Sequence, residues 1–294
     1  MSKLAITLIK PFIRGFKLAV YNQEKAWFRF PIRGKFNSGI PLFRDQVKVQ
    51  HTDLEGIPCG IFTPKVIKQE AVLLYLHGGG FSVCNYRMYT HLISAISLES
   101  GIEVFAIDYR LAPEHPFPNG LDDCVRAFQI IRDKHPEARI FIGGDSAGGG
   151  LTFSTALKLK QLGEKMPDKL FAFSPWADLR ITADSFTEKA KSDPLIDGSS
   201  AKKWAERYLH GESAENPLAS PVLGDFKDFP PCLIHVGEDE VLLDDSLLLV
   251  DRLKSYGIEV HFKQWEGMMH VFQIMVPMLD EAKQSLKDLK AFLE

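Results

Sequence analysis

The sequence predicts an α/β fold in which a mainly parallel central sheet is flanked by helices, and three observations support this prediction. Short runs that are apolar throughout, such as AVLLYL at residues 71–76, are typical of strands buried on both faces of a sheet. Stretches with helical spacing alternate with these runs over most of the chain. Loops rich in glycine or acidic residues follow several of the runs, at the edge where such sheets bind ligands.

Composition limits the class of protein. The chain has 294 residues, of which 45% are hydrophobic and 25% are charged, and its formal net charge of −3 argues against nucleic-acid binding. The four cysteines form no C-x-x-C or Cys/His cluster. We therefore expect no metal site and no disulfide framework, and reduced thiols favour a cytoplasmic location. No segment reaches the roughly 18 apolar residues of a membrane span, so stable membrane insertion is not expected.

The first part of the chain predicts helices followed by a hairpin. Residues 1–40 predict one or two helices and a loop, with a break at Pro11. Alternating polar and apolar residues at 46–50 predict a half-exposed strand. Residues 51–56 predict a turn and residues 57–62 a second strand. We expect this hairpin to add an antiparallel strand at one edge of the sheet.

Buried strands and helices alternate from residue 71 onward. The predicted strands are residues 71–76, 103–107, 140–142, 170–173, 231–236 and 258–262. The predicted helices are residues 88–99, 121–135, 147–162 and 243–256, with a last helix ending at residue 294. Residues 179–216 interrupt the alternation, because they carry charges, turn signals and one helical stretch at 199–208 but no buried strand. We interpret them as an insertion.

The segment IFIGGDSAGGG at residues 140–150 predicts a strand, a very tight turn and a helix, with Ser146 at the apex. Gly144 and Gly148 complete the pattern G-x-S-x-G, which is typical of a nucleophile elbow. A glycine-rich turn with an incidental serine would produce the same letters. The interpretation therefore depends on whether the chain also supplies a base, an acid and donors for an oxyanion.

The loop HGGG at residues 77–80 follows the first buried strand and could supply such donors. Consecutive glycines let backbone N–H groups point into a cavity with no side chain in the way. The alternative, a phosphate-binding loop, lacks the Lys-Ser/Thr that would follow it. The N–H of Ala147, directly after the elbow serine, would add a further donor.

An acid and a base follow later strands. The segment GEDEVLLDD offers four carboxylates: Asp239, Glu240, Asp244 and Asp245. The last two are better placed to begin the next helix, where negative charge suits the helix dipole, which leaves the first two. His270 lies between the last strand and the last helix. The chain order of Ser146, an acid near 240 and His270 is that of an α/β-hydrolase.

Together these motifs resemble the hormone-sensitive lipase family of α/β-hydrolases, the bacterial carboxylesterases with a GDSAG elbow. The resemblance covers about residues 70–294 and depends on HGGG, on DYRLAPEHPFP at 108–118, on GDSAGG and on SPW at 174–176. It implies an α/β-hydrolase fold with a helical cap, and hydrolysis of carboxylic esters with Ser146 as nucleophile and His270 as base. It also implies that the oxyanion is held by the backbone N–H groups of Gly79, Gly80 and Ala147.

The acid departs from the family pattern. Many members carry the catalytic Asp as the first residue of a D-P-L-x-D run. When EVLLD is aligned with that run, Glu240 takes the position of the catalytic Asp and Asp244 takes that of the final Asp. This alignment favours Glu240 over Asp239 as the acid. The neighbouring Asp145, inside the elbow motif, is expected to be structural.

The resemblance also implies a domain arrangement and a substrate class. Residues 1–40 and the insertion 179–216 would form the cap, and residues 41–178 and 217–294 the catalytic domain. The substrate would be a small ester with a short acyl chain, and neither a metal nor an organic cofactor would be needed. An amidase or peptidase on the same fold, and a non-catalytic small-molecule receptor, remain alternatives. A homodimer is compatible with the sequence, which does not determine the oligomeric state.

Overall fold

An eight-stranded sheet runs through the part of the chain that the computed structural model describes, which is Phe43 and residues 45–294. The spatial order of the strands is β1-β2-β4-β3-β5-β6-β7-β8. β1 and β2 run antiparallel to their neighbours and the other strands pair in parallel, so the predicted α/β fold with an antiparallel edge is confirmed. The helices predicted within residues 1–40 lie outside the described residues. The strands are β1 Val47–Leu54, β2 Ile57–Pro64, β3 Ala71–Leu76, β4 Glu103–Ile107, β5 Arg139–Asp145, β6 Lys169–Phe173, β7 Cys232–Gly237 and β8 Val260–Trp265.

Helices cover both faces of the sheet. β3 contributes Leu74 and Leu76 to a core that contains residues of α2, α3 and α6, and Leu73 and Tyr75 to a second core that contains residues of α1 and α7. Burial on both faces explains why the strand is apolar throughout. The helices are α1 Thr90–Ser100, α2 Asn119–Lys134, α3 Ala147–Gln161, α4 Ser185–Glu188, α5 Gly198–Leu209, α6 Leu243–Ser255 and α7 Asp280–Leu293, with short 3₁₀ turns at Pro221–Leu223 and Phe272–Met275.

Several strand boundaries differ from the sequence prediction, most clearly those of β1 and β8. The turn predicted at residues 51–56 is reduced to Glu55 and Gly56, whose φ angles of 54° and 96° form a tight two-residue hairpin turn. β1 therefore continues to Leu54 and pairs with β2 along its whole length. β8 starts and ends later than predicted, because it pairs with all six residues of β7.

The insertion at residues 179–216 contains no strand and has one helix, α5, at the predicted stretch, while the short helix α4 is not predicted by the sequence. It lies between β6 and β7, two neighbouring strands whose carboxyl ends face the same edge of the sheet. The insertion therefore starts beside the edge at which the candidate site residues collect.

Candidate active site

Ser146 sits in a strained turn between β5 and α3. Its φ of 53° and ψ of −122° are unusual for a residue with a side chain. The flanking glycines are required by close backbone packing: a Cβ added to Gly144 or Gly148 would lie 2.4 or 2.0 Å from the carbonyl oxygen of Leu76 at the end of β3. The elbow is thus pressed against the strand that carries the HGGG loop.

His270 contacts Ser146 directly. Its Nε2 lies 2.9 Å from Ser146 Oγ, and both residues are buried. The other ring nitrogen, Nδ1, lies 3.2 Å from Glu240 Oε1. An ionised carboxylate can only accept a hydrogen bond, so Glu240 favours the tautomer with the proton on Nδ1. Nε2 is then free to accept the proton of the Ser146 hydroxyl.

Glu240 is completely buried, with 0% of its surface exposed. Its Oε1 faces His270, while its Oε2 accepts hydrogen bonds from Gly237 N and Ser174 Oγ, each at 2.8 Å. The structure thus brings Ser146, His270 and Glu240 together in one hydrogen-bonded chain, although 124 residues of sequence separate Ser146 from His270.

The other carboxylates of GEDEVLLDD have different surroundings. Asp239 is partly exposed, and its backbone N–H donates to Met268 O at 2.9 Å. Asp244 and Asp245 lie in the first turn of α6, as the sequence predicted. Asp245 is buried and accepts hydrogen bonds from the backbone N–H groups of Ala177 and Asp178.

Electrostatics favour the protonated form of His270. Burial alone lowers the pKa of this imidazole, but the hydrogen bond to Glu240 and the negative charges of Glu240, Asp193 and Asp145 outweigh it, so the pKa is raised above its ordinary value of 6.5. The remaining buried histidines behave differently: burial lowers the pKa of His77 to about 4 and that of His235 to about 3. Of these three histidines, only His270 has a pKa that is raised, and a raised pKa favours uptake of a proton.

The glycine loop after β3 is held close to the elbow. Gly78 N donates to Asp145 Oδ1 at 3.1 Å, and the same carboxylate accepts from the hydroxyls of Tyr75 and Tyr89. Gly79 and Gly80 have φ angles of 122° and 57°, in the left-handed region that favours glycine. Asp145 therefore has the structural role that the sequence predicted, because it ties the loop to the residue before Ser146.

Backbone donors are available in the glycine loop and at the start of α3. Among the described residues, none accepts a hydrogen bond from the N–H of Gly79, Gly80 or Ala147. Unused N–H groups at such a corner can hold negative charge that develops on a bound oxygen.

The insertion contacts both the glycine loop and the acid loop. A Cβ on Gly80 would lie 2.0 Å from the ring of Trp204, and Tyr208 stacks on Phe81 with ring centroids 3.9 Å apart. On the other side, Asp193 Oδ2 accepts a hydrogen bond from the N–H of Val241, the residue directly after Glu240, at 3.0 Å. The insertion is therefore packed against the site at two points.

Two contributors were not predicted from the sequence. Ser174 belongs to the SPW motif, but only the structure brings its hydroxyl to Glu240. Asp193 lies in the insertion, where the turn signals gave no indication of a contact with the acid loop. A φ of 50° at Ser174 is a conformational feature that sequence spacing does not reveal.

The described residues contain no group of three or more His, Cys, Asp or Glu side chains that could hold a metal ion. Cys59, Cys84, Cys124 and Cys232 are all free. In Phe43 and residues 45–294, no helix combines the length and apolar character needed to cross a bilayer.

Comparison with known sequences identifies the fold family. The profile of a family described as alpha/beta hydrolase fold matches residues 73–274. An acetyl-hydrolase from Streptomyces hygroscopicus is 36% identical over 259 residues, which cover 87% of this chain and 84% of that protein. An esterase from Acinetobacter venetianus is 33% identical over 224 residues, covering 75% and 74% of the two chains.

Solved structures agree with this assignment. A crystal structure of an esterase from the bacterial hormone-sensitive lipase family has a TM-score of 0.82 at 36% identity, over 85% of this chain and 84% of that one. EstE5 soaked with p-nitrophenyl butyrate has a TM-score of 0.85 at 33% identity, over 98% and 97% of the two chains. The chain therefore belongs to the alpha/beta hydrolase family, within the bacterial hormone-sensitive lipase group, and is a carboxylic ester hydrolase.

Proposed function

We propose that the chain is a serine carboxylesterase that hydrolyses short-chain acyl esters through an acyl-enzyme intermediate. The observation that carries this proposal is the buried hydrogen-bonded chain from Ser146 Oγ through His270 to Glu240, with distances of 2.9 and 3.2 Å. A serine hydroxyl is a weak nucleophile until a base removes its proton, and this arrangement supplies that base.

In the first step, His270 Nε2 accepts the proton of Ser146 as Oγ attacks the ester carbonyl carbon. The carbonyl oxygen becomes an oxyanion, held by the N–H groups of Gly79, Gly80 and Ala147. Each such donor stabilises the transition state by about 3 kcal/mol. Glu240 stabilises the imidazolium that forms. His270 then gives its proton to the alcohol oxygen, which leaves while the acyl group stays on Ser146.

In the second step, water replaces the alcohol. His270 accepts a proton from the water as its oxygen attacks the acyl carbonyl carbon. The oxyanion collapses, the bond to Ser146 Oγ breaks, and His270 returns its proton to that oxygen. The carboxylic acid is released and the starting state is restored. No step requires a metal or an organic cofactor.

Residues 179–216, together with residues 1–40, which lie outside the described part of the chain, are proposed to act as a cap over a catalytic domain formed by residues 41–178 and 217–294. The contacts of Trp204 with Gly80 and of Tyr208 with Phe81 support this role, because they set bulky rings over the glycine loop. We propose that these rings also limit the length of the acyl chain that the site accepts. The similar proteins, which include an acetyl-hydrolase and an esterase soaked with p-nitrophenyl butyrate, also support a preference for short acyl chains.

Acyl preference provides a test of the short-chain proposal. We expect kcat/KM for p-nitrophenyl acetate or butyrate to exceed that for p-nitrophenyl decanoate by roughly tenfold or more. The Trp204→Ala variant should narrow this difference, since it removes the ring that lies against Gly80. A faster reaction with decanoate in the wild type would contradict the short-chain assignment, and hydrolysis of p-nitroanilides at comparable rates would favour an amidase.

The pH profile provides a separate test of His270 as base. Protonated imidazole cannot accept the Ser146 proton, so kcat/KM should fall as the pH is lowered through the pKa of His270. Because that pKa is raised, we expect the midpoint of the acid limb to lie above 6.5. His77 and His235, with pKa values of about 4 and 3, stay neutral over this range. A midpoint clearly below 6.5 would argue against this assignment.

A further inference from the structure

Ser174 lies behind the proposed triad and has no role in the two steps above. It follows β6 directly, is 0% exposed and adopts a φ of 50° despite having a side chain. Its backbone N–H donates to His235 O at 2.7 Å. Such left-handed conformations are uncommon outside glycine and persist only where the surroundings hold them.

The Ser174 hydroxyl joins the acid to the loop of the base. It donates to Glu240 Oε2 at 2.8 Å and accepts from Val271 N at 3.1 Å. A hydroxyl has one donor and can accept as well, so this single group serves both neighbours. Val271 directly follows His270, and the same oxygen thus contacts the acid's carboxylate and the backbone that carries the imidazole.

Val271 is itself strained. This β-branched residue has a φ of 47°, which is a marked outlier for its type. Its N–H is buried, and its hydrogen bond to Ser174 fixes the backbone on the carboxyl side of His270. Without the hydroxyl, this N–H would lose its acceptor and the loop would have a reason to relax.

Glu240 also depends on Ser174 for its orientation. The Oε2 atom has two donors: Gly237 N, at the end of β7, and Ser174 Oγ, directly after the end of β6. Two donors on Oε2 leave Oε1 directed at His270 Nδ1. Removing one of them would let the carboxylate rotate, and the 3.2 Å contact with the imidazole would lengthen.

On the basis of the function proposed above, we propose that Ser174 is a positioning residue that fixes Glu240 and His270 relative to each other. Its hydroxyl bonds Glu240 and the N–H of Val271 rather than Ser146 Oγ or the imidazole ring. Its hydroxyl holds the second carboxylate oxygen of the acid and the backbone next to the base, so that both ends of the Glu240–His270 hydrogen bond are set by one group.

The test compares Ser174→Ala with Ser174→Gly. Both remove the hydroxyl, but glycine also accepts the left-handed φ without strain, so a loss caused by backbone destabilisation alone would be smaller in Ser174→Gly. We expect both variants to lose kcat by roughly 10- to 100-fold on p-nitrophenyl butyrate, with KM changed less than about twofold. Ser97→Ala is the matched control, since Ser97 in α1 is also fully buried and its hydroxyl bonds the carbonyls of Phe62 and Ile102. It should keep the wild-type kcat.

A double-mutant cycle with Glu240→Gln separates positioning from general structure. If Ser174 acts through the acid, Ser174→Ala should cost less than about threefold in kcat when Glu240 is already Gln. If the fold-losses in kcat of the two single variants multiply fully in the double variant, the proposal is overturned. It is also overturned if the Ser174 variants keep the wild-type kcat. Failure of the wider proposal is distinguishable, because it would appear as retained activity in Ser146→Ala.

Discussion

The Ser146→Ala variant is expected to lose ester hydrolysis by roughly 10⁴- to 10⁶-fold, because it removes the atom that forms the acyl-enzyme. The fold should survive. Among the described residues, Ser146 Oγ has one hydrogen-bond partner, His270 Nε2, and the elbow is held by backbone contacts that alanine preserves. We expect the melting temperature to stay within about 5 °C of the wild type. Hydrolysis of p-nitrophenyl butyrate and thermal denaturation together measure both outcomes.

Covalent labelling makes this test specific to the nucleophile. A fluorophosphonate should label the wild type once, at Ser146, and should leave the Ser146→Ala variant unlabelled. Ser154→Ala serves as the control, because Ser154 lies buried on α3, the helix that begins directly after Ser146, about two turns further along. It should keep both activity and labelling. Substantial hydrolysis by a folded Ser146→Ala protein would mean that another residue is the nucleophile.

The second large effect concerns the acid. We expect Glu240→Gln to reduce kcat by roughly 10³- to 10⁴-fold, because a neutral amide cannot stabilise the imidazolium and can hold the ring in the wrong tautomer. The substitution is nearly isosteric. The amide oxygen of glutamine can take the place of Oε2 and keep its hydrogen bonds from Gly237 N and Ser174 Oγ. Steady-state kinetics with p-nitrophenyl butyrate would measure the loss.

Asp239→Asn is the matched comparison for Glu240→Gln. It removes one negative charge from the adjacent residue, whose side chain is partly exposed. We expect kcat within a few-fold of the wild type. A larger loss in Asp239→Asn than in Glu240→Gln would reverse the assignment of the acid.

Much of the fold could be predicted because it depends on local signals. Six-residue apolar runs such as that of β3 indicate strands buried on both faces, and helical spacing between them indicates crossovers. The boundaries of β1 and β8 were less accurate, since the length of a ladder depends on the neighbouring strand. Pairing with β2 and β7 extends both strands beyond the residues whose own pattern predicts them.

The positions of Ser146 and His270 could likewise be predicted, because glycines at a strand end and the order of chemical groups along the chain are visible in the letters. The choice between Asp239 and Glu240 could only be suggested. Adjacent residues in a turn point in different directions, and the turn after β7 is set by backbone hydrogen bonds to the loop before His270. Glu238 N donates to Trp265 O and Asp239 N donates to Met268 O.

The sequence by itself determined which runs form buried strands, the elbow at Ser146, the glycine loop and the family to which the chain belongs. These features are local. A tight turn requires small residues at particular consecutive positions, and a strand buried on both faces requires a run of apolar residues. Tertiary structure decided which carboxylate reaches His270, how the insertion contacts the acid loop, and that Ser174 joins the acid to the base. Those features depend on the meeting of segments up to 124 residues apart, with distances and angles that only the packed chain defines.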